Sequence, residues 1–342
     1  MIRRVPPALL CPLLTALVAA SGIALGGCLG DAPHSNPLDP LSEGFRAEGQ
    51  VEGRVTEAFA PFFGLDGVRV RLVPLAAGLP ERATRTDADG AFAFPDVPEG
   101  AYRVEAERDG FAAAADTVSV RLAEIASAEL RLNGRPAVQA QAVRTVHVDR
   151  WFPPEDLYRL EVDATVADPD GPADLARVVL ESAALGVLDT LREAEPGRFV
   201  GEVDARALPG RALQSLIGVP LHLRAEDRGG VAGVGPDLYV ARVIEPIPLT
   251  ERPQALAVVG ATPELVWRPL ALPFAATWRI DVVRVDAGVE TAVARFDGLP
   301  AEQTALRLTA PLAAGDYYWT AAAVDAFGNR SRSKEAGFRV VP

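Results

Sequence analysis

The chain is poor in the residues that carry out chemistry alone. Its 342 residues include two cysteines, Cys11 and Cys28, three histidines and one methionine. Two cysteines allow at most one disulfide in one chain. His34, His147 and His222 form no pair at metal-ligand spacing and no His-x-x-Glu motif, so a zinc peptidase is excluded. Lys334 is the single lysine among 34 basic residues, which leaves one place for a lysine-centred reaction. No Gly-x-Ser-x-Gly elbow occurs. The glycine-rich stretch Arg228–Gly235 is followed by Pro236 and an apolar run, not a helix, so it reads as a hairpin loop rather than a phosphate cradle. Positive charge is scarce too. Against 46 acidic residues the net charge is −12, and no basic patch large enough for nucleic acid can form. Beyond the N-terminus no run of 18 uncharged apolar residues appears, so no later segment is expected to cross a bilayer as a helix.

Apolar residues make up 49% of the chain, enough for real cores. Gly 30 and Pro 29 make it rich in turns. Arg3 and Arg4 precede an uncharged, Leu- and Ala-rich stretch from Pro7 to Leu25, the pattern of a secretory signal. It ends in Leu25-Gly26-Gly27-Cys28, which resembles the lipobox of bacterial lipoproteins. The resemblance implies cleavage after residue 27, with acyl chains, palmitate among them, on the sulfur and new amino group of Cys28. Removing residues 1–27 takes away two arginines and no acid, so the net charge moves to −14. Two or three acyl chains hold a protein firmly to a membrane. Leu29 rather than Asp follows Cys28, which favours the outer membrane of the bacterial cell envelope. Residues 28–48, with Pro33, Pro37 and Pro40 among small polar residues, read as the lipidated N-terminus and a tether.

The remainder alternates apolar and polar residues in short runs broken by Gly, Pro and Asp, and long helical periodicity is absent. The expected class is all-β, three tandem β-sandwiches over residues 49–133, 134–244 and 245–342, with short helical turns near 173–176 and 204–216. In the first, Val51–Val55 and Val68–Leu72 alternate as strands. Then comes Thr86-Asp87-Ala88-Asp89-Gly90-Ala91-Phe92-Ala93-Phe94, followed by Val97-Pro98-Glu99-Gly100-Ala101-Tyr102-Arg103-Val104. Asp89-Gly90 is expected to turn a hairpin, with Phe92, Phe94, Tyr102 and Val104 facing inward. This series resembles the carboxypeptidase regulatory-like domain, which implies a prealbumin-like sandwich serving as a non-catalytic accessory. In the second, Asp168-Pro169-Asp170-Gly171 with Asp174 and Arg224–Asp227 is similar to bacterial immunoglobulin-like modules. In the third, Pro263–Trp267, Trp278–Val285 and Gly315–Ser331 resemble a fibronectin type III domain. That register turns Tyr317, Trp319, Ala321 and Ala323 inward, and the resemblance implies a tyrosine corner at Tyr317.

Candidate sites are few. Asp168 and Asp170 are the foremost calcium candidates by their oxygen ligands, but the turn itself also accounts for them and no EF-hand loop follows. Trp151-Phe152, between Arg150 and Pro153, either plug a contact between modules, the favoured reading, or offer rings to a sugar or partner. No cofactor and no catalytic residue is expected. The expected function is a lipid-anchored, non-catalytic envelope protein that binds or spaces, with a protein or polysaccharide partner besides the membrane. Its alternatives are an assembly factor of the envelope and an accessory of a polymer-degrading or receptor system.

Overall fold

The computed structural model describes residues 41–42 and 48–341. The expected signal, Cys28 and most of the tether lie outside the described residues. Alternation sets each strand's two faces: in Arg69–Pro74, Val70 and Leu72 are wholly buried while Arg69 points to solvent. No described residue lies in an α-helix; four short 3-10 turns cover Pro172–Asp174 and parts of 205–216.

The first sandwich has seven strands: β1 (Glu48–Glu57), β2 (Arg69–Pro74), β3 (Arg82–Arg85), β4 (Ala91–Pro98), β5 (Gly100–Glu107), β6 (Ala114–Val120) and β7 (Ile125–Leu132). They form one sheet in the order β4-β1-β7, with β1 and β7 parallel, and a second in the order β3-β2-β5-β6. Val51, Val70, Phe94, Val104 and Leu130 fill the space between. Phe92 and Phe94 are buried and meet edge to face, with centroids 6.0 Å apart. One expectation is corrected. The Asp89-Gly90 turn does not close a hairpin, because β3 pairs only with β2 and β4 only with β1. It carries the chain from one sheet to the other, which lets both phenylalanines point into the gap between the sheets. Gly90, at φ 78°, lies in the left-handed region the turn requires.

The second sandwich comprises β8 (Ala137–Val148), β9 (Leu157–Ala167), β10 (Leu175–Ser182), β11 (Gly186–Glu195), β12 (Arg198–Asp204), β13 (His222–Asp227) and β14 (Ala232–Val234). Their order is β14-β13-β10-β11-β12-β9-β8, with β11 serving both faces. Its core holds Leu160, Val178, Leu180, Leu213, Leu223 and Ala225. The stretch Arg228–Gly235 is a β13–β14 hairpin, as expected.

The third comprises β15 (Thr250–Arg252), β16 (Ala257–Val259), β17 (Glu264–Trp267), β18 (Ala276–Asp286), β19 (Val289–Leu299), β20 (Ala305–Arg307), β21 (Gly315–Asp325), β22 (Arg330–Arg332) and β23 (Ala336–Val340). One sheet is β15-β17-β20; the other runs β22-β21-β18-β19 and adds β23 and β16. Trp267, Trp278 and Trp319 interlock edge to face in the core. Burial of each contributes about 3 kcal/mol. Tyr317, Trp319, Ala321 and Ala323 all face inward. Tyr317 Oη donates to Ala313 O at 2.9 Å, the corner the sequence suggested. The first sandwich holds a second corner that the motif reading did not anticipate. Tyr102 Oη donates to Pro98 O, also four residues back and at 2.9 Å.

Candidate functional site

Between the second and third sandwiches the backbone ladder continues unbroken. Val146–Val148 of β8 pair in parallel with Arg330–Arg332 of β22. A buried polar network seals the joint. Thr145 N donates to Asn329 Oδ1 at 2.8 Å, and Thr145 Oγ1 donates to Arg242 O at 2.7 Å, with Asn329 Oδ1 3.1 Å away. Asn329 Nδ2 donates to Asp325 Oδ2, and Arg242 Nε lies 3.2 Å from the same oxygen. Asp325 Oδ1 accepts from the N–H groups of Phe327 and Asn329. The buried carboxylate is therefore fully bonded and paired with a cation, the arrangement a charge needs out of water.

The same joint brings together a serine, a histidine and an aspartate. His147 Nε2 lies 3.0 Å from Asp156 Oδ2, and Ser331 Oγ lies 3.3 Å from His147 Nδ1. This is a clasp rather than a nucleophile site. Ser331 and His147 are 0% and 1% exposed, so no substrate carbonyl reaches the hydroxyl. His147 Nδ1 also faces Ile244 O at 3.1 Å, and a carbonyl only accepts, so that nitrogen donates and cannot take the serine proton. His147 stacks on Tyr158 at 4.1 Å, and Tyr158 Oη donates to Glu245 Oε2. Burial and the Glu245 carboxylate both push the Tyr158 hydroxyl well above its ordinary range. Spacing alone gave no sign of this cluster, because its members lie up to 184 residues apart.

Trp151 and Phe152 sit in the β8–β9 loop at the rim of this joint. Trp151 reaches across: its Nε1 donates to Glu335 O, and Lys334 Nζ stands 4.8 Å from the ring centre. Yet Trp151 is 67% and Phe152 86% exposed, so the favoured plug reading applies only to the edge of one ring. Phe152 packs against nothing that hides it.

The first and second sandwiches meet differently. Asp227, at the end of β13, is 1% exposed. Its Oδ1 accepts from Val231 N, and its Oδ2 accepts from Asn133 Nδ2, just past β7. Gly229 admits that amide, because a Cβ there would lie 2.4 Å from Asn133 Nδ2. Gly134 N donates to Asp170 Oδ2 at 2.5 Å. Around this contact Asp168, Asp170 and Asp174 converge, each with one carboxylate oxygen within 4.8 Å of the other two. The expected pair Asp168 and Asp170 is thus joined by Asp174 and backed by Asp227, which the sequence offers as parts of the module pattern and not as ligands. Desolvation, then the neighbouring aspartate charges, push the Asp168 carboxyl up to about 6, and the same causes raise Asp174.

Asp87, Asp227 and Asp325 share one local device. Each starts an Asp-x-x-Gly-x turn, and one side-chain oxygen accepts from the N–H four residues on, that of Ala91, Val231 or Asn329. The repeat is visible in the sequence; what the second carboxylate oxygen meets is not.

Residues 50–133 match the carboxypeptidase regulatory-like domain. That match covers the first sandwich, about a quarter of the chain. No curated protein matches the chain. Several solved structures are similar to parts or most of the chain at low scores. BcpA, the major pilin subunit of Bacillus cereus, is 10% identical, with a TM-score of 0.28 over 83% of this chain and 91% of that one. Fibronectin(III)-like modules of CbhA from Clostridium thermocellum are 11% identical, with a TM-score of 0.27 over 60% and 92%. A proposed carbohydrate-binding protein from Bacteroides uniformis is 10% identical, with a TM-score of 0.24 over 56% and 98%. At these scores the likeness carries no argument about activity. The regulatory-like match itself points to a non-catalytic domain.

Proposed function

We propose that this chain is a lipid-anchored protein of the bacterial cell envelope, held through Cys28 in the outer membrane, whose sandwiches form a non-catalytic stalk. In this reading the domains divide at 133/134 and 244/245, and the stalk presents surface to a protein or polysaccharide partner. The observation that carries it is the sealed joint between the second and third sandwiches. A continuous ladder and a buried, fully bonded Asp325–Asn329–Thr145 network resist bending, which suits a spacer better than a hinged enzyme. The exposed Trp151 and Phe152 favour a binding role on that stalk, since aromatic rings left in water are the residues that anchor partners. Glycan arrays and partner capture with the wild-type chain and with Phe152→Ser would tell a sugar from a protein ligand.

The anchor is tested directly. Cys28→Ser should leave an unprocessed precursor with no fatty acid by mass spectrometry of membrane fractions. Normal processing of that variant, or an unacylated wild type, would falsify the lipoprotein reading.

A further inference from the structure

We infer that the joint between the first and second sandwiches is a calcium site, in which Asp168, Asp170 and Asp174 hold one ion that ties the sandwiches together. This inference is independent of the anchor and of any partner. A group of acids alone would not suggest it, but two further observations do.

The first is a set of buried oxygens with nothing to accept. Asp168 Oδ2, Asp174 Oδ2 and Asn133 Oδ1 are shielded from solvent and receive no hydrogen bond. Buried polar atoms are normally satisfied, and three such acceptors around one contact call for a positive partner. The turn also leaves the Asp168 carboxylate one donor short, at its other oxygen. In the Asp-x-x-Gly-x turns of Asp87 and Asp325 the aspartate accepts from the N–H groups two and four residues on. At Asp168 the residue two on donates at 2.8 Å, but the residue four on is Pro172, which has no N–H.

The second observation is a buried carboxylate with no cation. Asp227 is 1% exposed, touches this group, and meets only neutral donors, Asn133 Nδ2 and Val231 N. Its counterpart in the third sandwich, Asp325, has Arg242 at 3.2 Å. Arg228 favours ionised Asp174 from a distance but forms no ion pair with these acids among the described residues. The joint therefore gathers four carboxylates where the other joint balances one carboxylate with a guanidinium.

Ligand chemistry selects the ion. All the converging atoms are oxygens, with neither histidine nor cysteine among them, which favours a hard cation. Two oxygens bound to one calcium at about 2.3–2.6 Å lie at most about 5 Å apart, and the three carboxylates are close enough together to share one ion. Magnesium requires shorter bonds and near-ideal octahedral geometry and dehydrates reluctantly, which makes calcium the better match for a cluster of protein oxygens. Asp170 also accepts from Gly134 N and Asp227 from Asn133 Nδ2, so an ion on the second sandwich would fix the residues at which the chain passes into it from the first.

The test titrates CaCl2 into the full-length, chelator-stripped chain in detergent at neutral pH, by calorimetry and thermal melting. A single site with a dissociation constant of about 0.1–1 mM is expected, in the range of extracellular calcium modules. At about ten times that constant melting should rise by about 4–8 °C, with MgCl2 clearly weaker. Asp168→Asn and Asp174→Asn, made singly, should each abolish the calcium response. Asp87→Asn, which alters the equivalent turn within the first sandwich, should leave it intact. No heat and no shift with wild type would overturn the site. So would a response that survives both joint variants, and neither result depends on whether the chain is acylated.

Discussion

The two joints of this molecule solve one problem in opposite ways. Each buries an aspartate at the end of a strand, Asp227 or Asp325, in a turn of the same kind. At the joint of the second and third sandwiches, Arg242 and Asn329 answer Asp325, and the β8–β22 ladder adds backbone bonds. At the joint of the first and second, Asn133 answers Asp227 with a neutral amide, and three more carboxylates crowd the same place. A compensated joint is set by the chain itself. An uncompensated one is left open to protons or cations, so its stability depends on the medium.

The largest effect is expected from breaking the compensated joint. Asp325→Ala strands Arg242 and the N–H groups of Phe327 and Asn329 in a buried site and should cost about 3–5 kcal/mol. Denaturant titration followed by tryptophan fluorescence reads it, since Trp267, Trp278 and Trp319 all lie in that sandwich's core. A loss below about 1 kcal/mol would show that the joint contributes little.

Acid should sharpen the contrast from the other side. The Asp168 carboxyl is pushed up to about 6 from 3.8, with Asp170, Asp174 and Asp227 facing it and Arg228 acting on Asp174. The folded chain then binds this proton more tightly than the unfolded chain does. Stability from this group is fully present below about pH 4 and is lost as pH rises through 6. In chelator the loss should reach about 1–2 kcal/mol, allowing for partial solvent access. Asp168→Asn should flatten this part of the profile, and an unchanged slope would remove Asp168 as its source.

The smallest effect belongs to the rim. Trp151→Ala gives up the bond to Glu335 O and the contact with Lys334, both at a largely exposed ring. Stability should change by no more than about 1 kcal/mol. A larger drop would mean that the ring holds the joint rather than offering itself to a partner.

Much of the fold was legible because its causes are local. The alternation in β2, the inward set on β21 and the Tyr317 corner all depend on residues within one strand or one turn. The Tyr102 corner follows the same Gly-x-Tyr spacing as Gly315-Asp316-Tyr317, so it too could have been found. The Asp89-Gly90 turn was misjudged for a different reason. Its local geometry suits a hairpin, and only the pairing of β4 with β1 shows that the chain changes sheet there. Asp227 reads in the sequence only as part of a strand motif and nothing there singles out Arg242, because no periodicity marks a residue whose partner lies in another sandwich.

By itself the amino-acid order determined that this chain makes strands, where most of them turn, and which face of each is greasy. Period and turn chemistry act over two to five residues, and that much can be read directly. Tertiary packing decided which charges meet. Asn133 reaches Asp227 across 94 residues, and Thr145 reaches Asn329 across 184. Whether a buried acid finds an arginine or only other acids depends on how whole sandwiches dock, because Coulombic and hydrogen-bond energies follow distance in space, not along the chain.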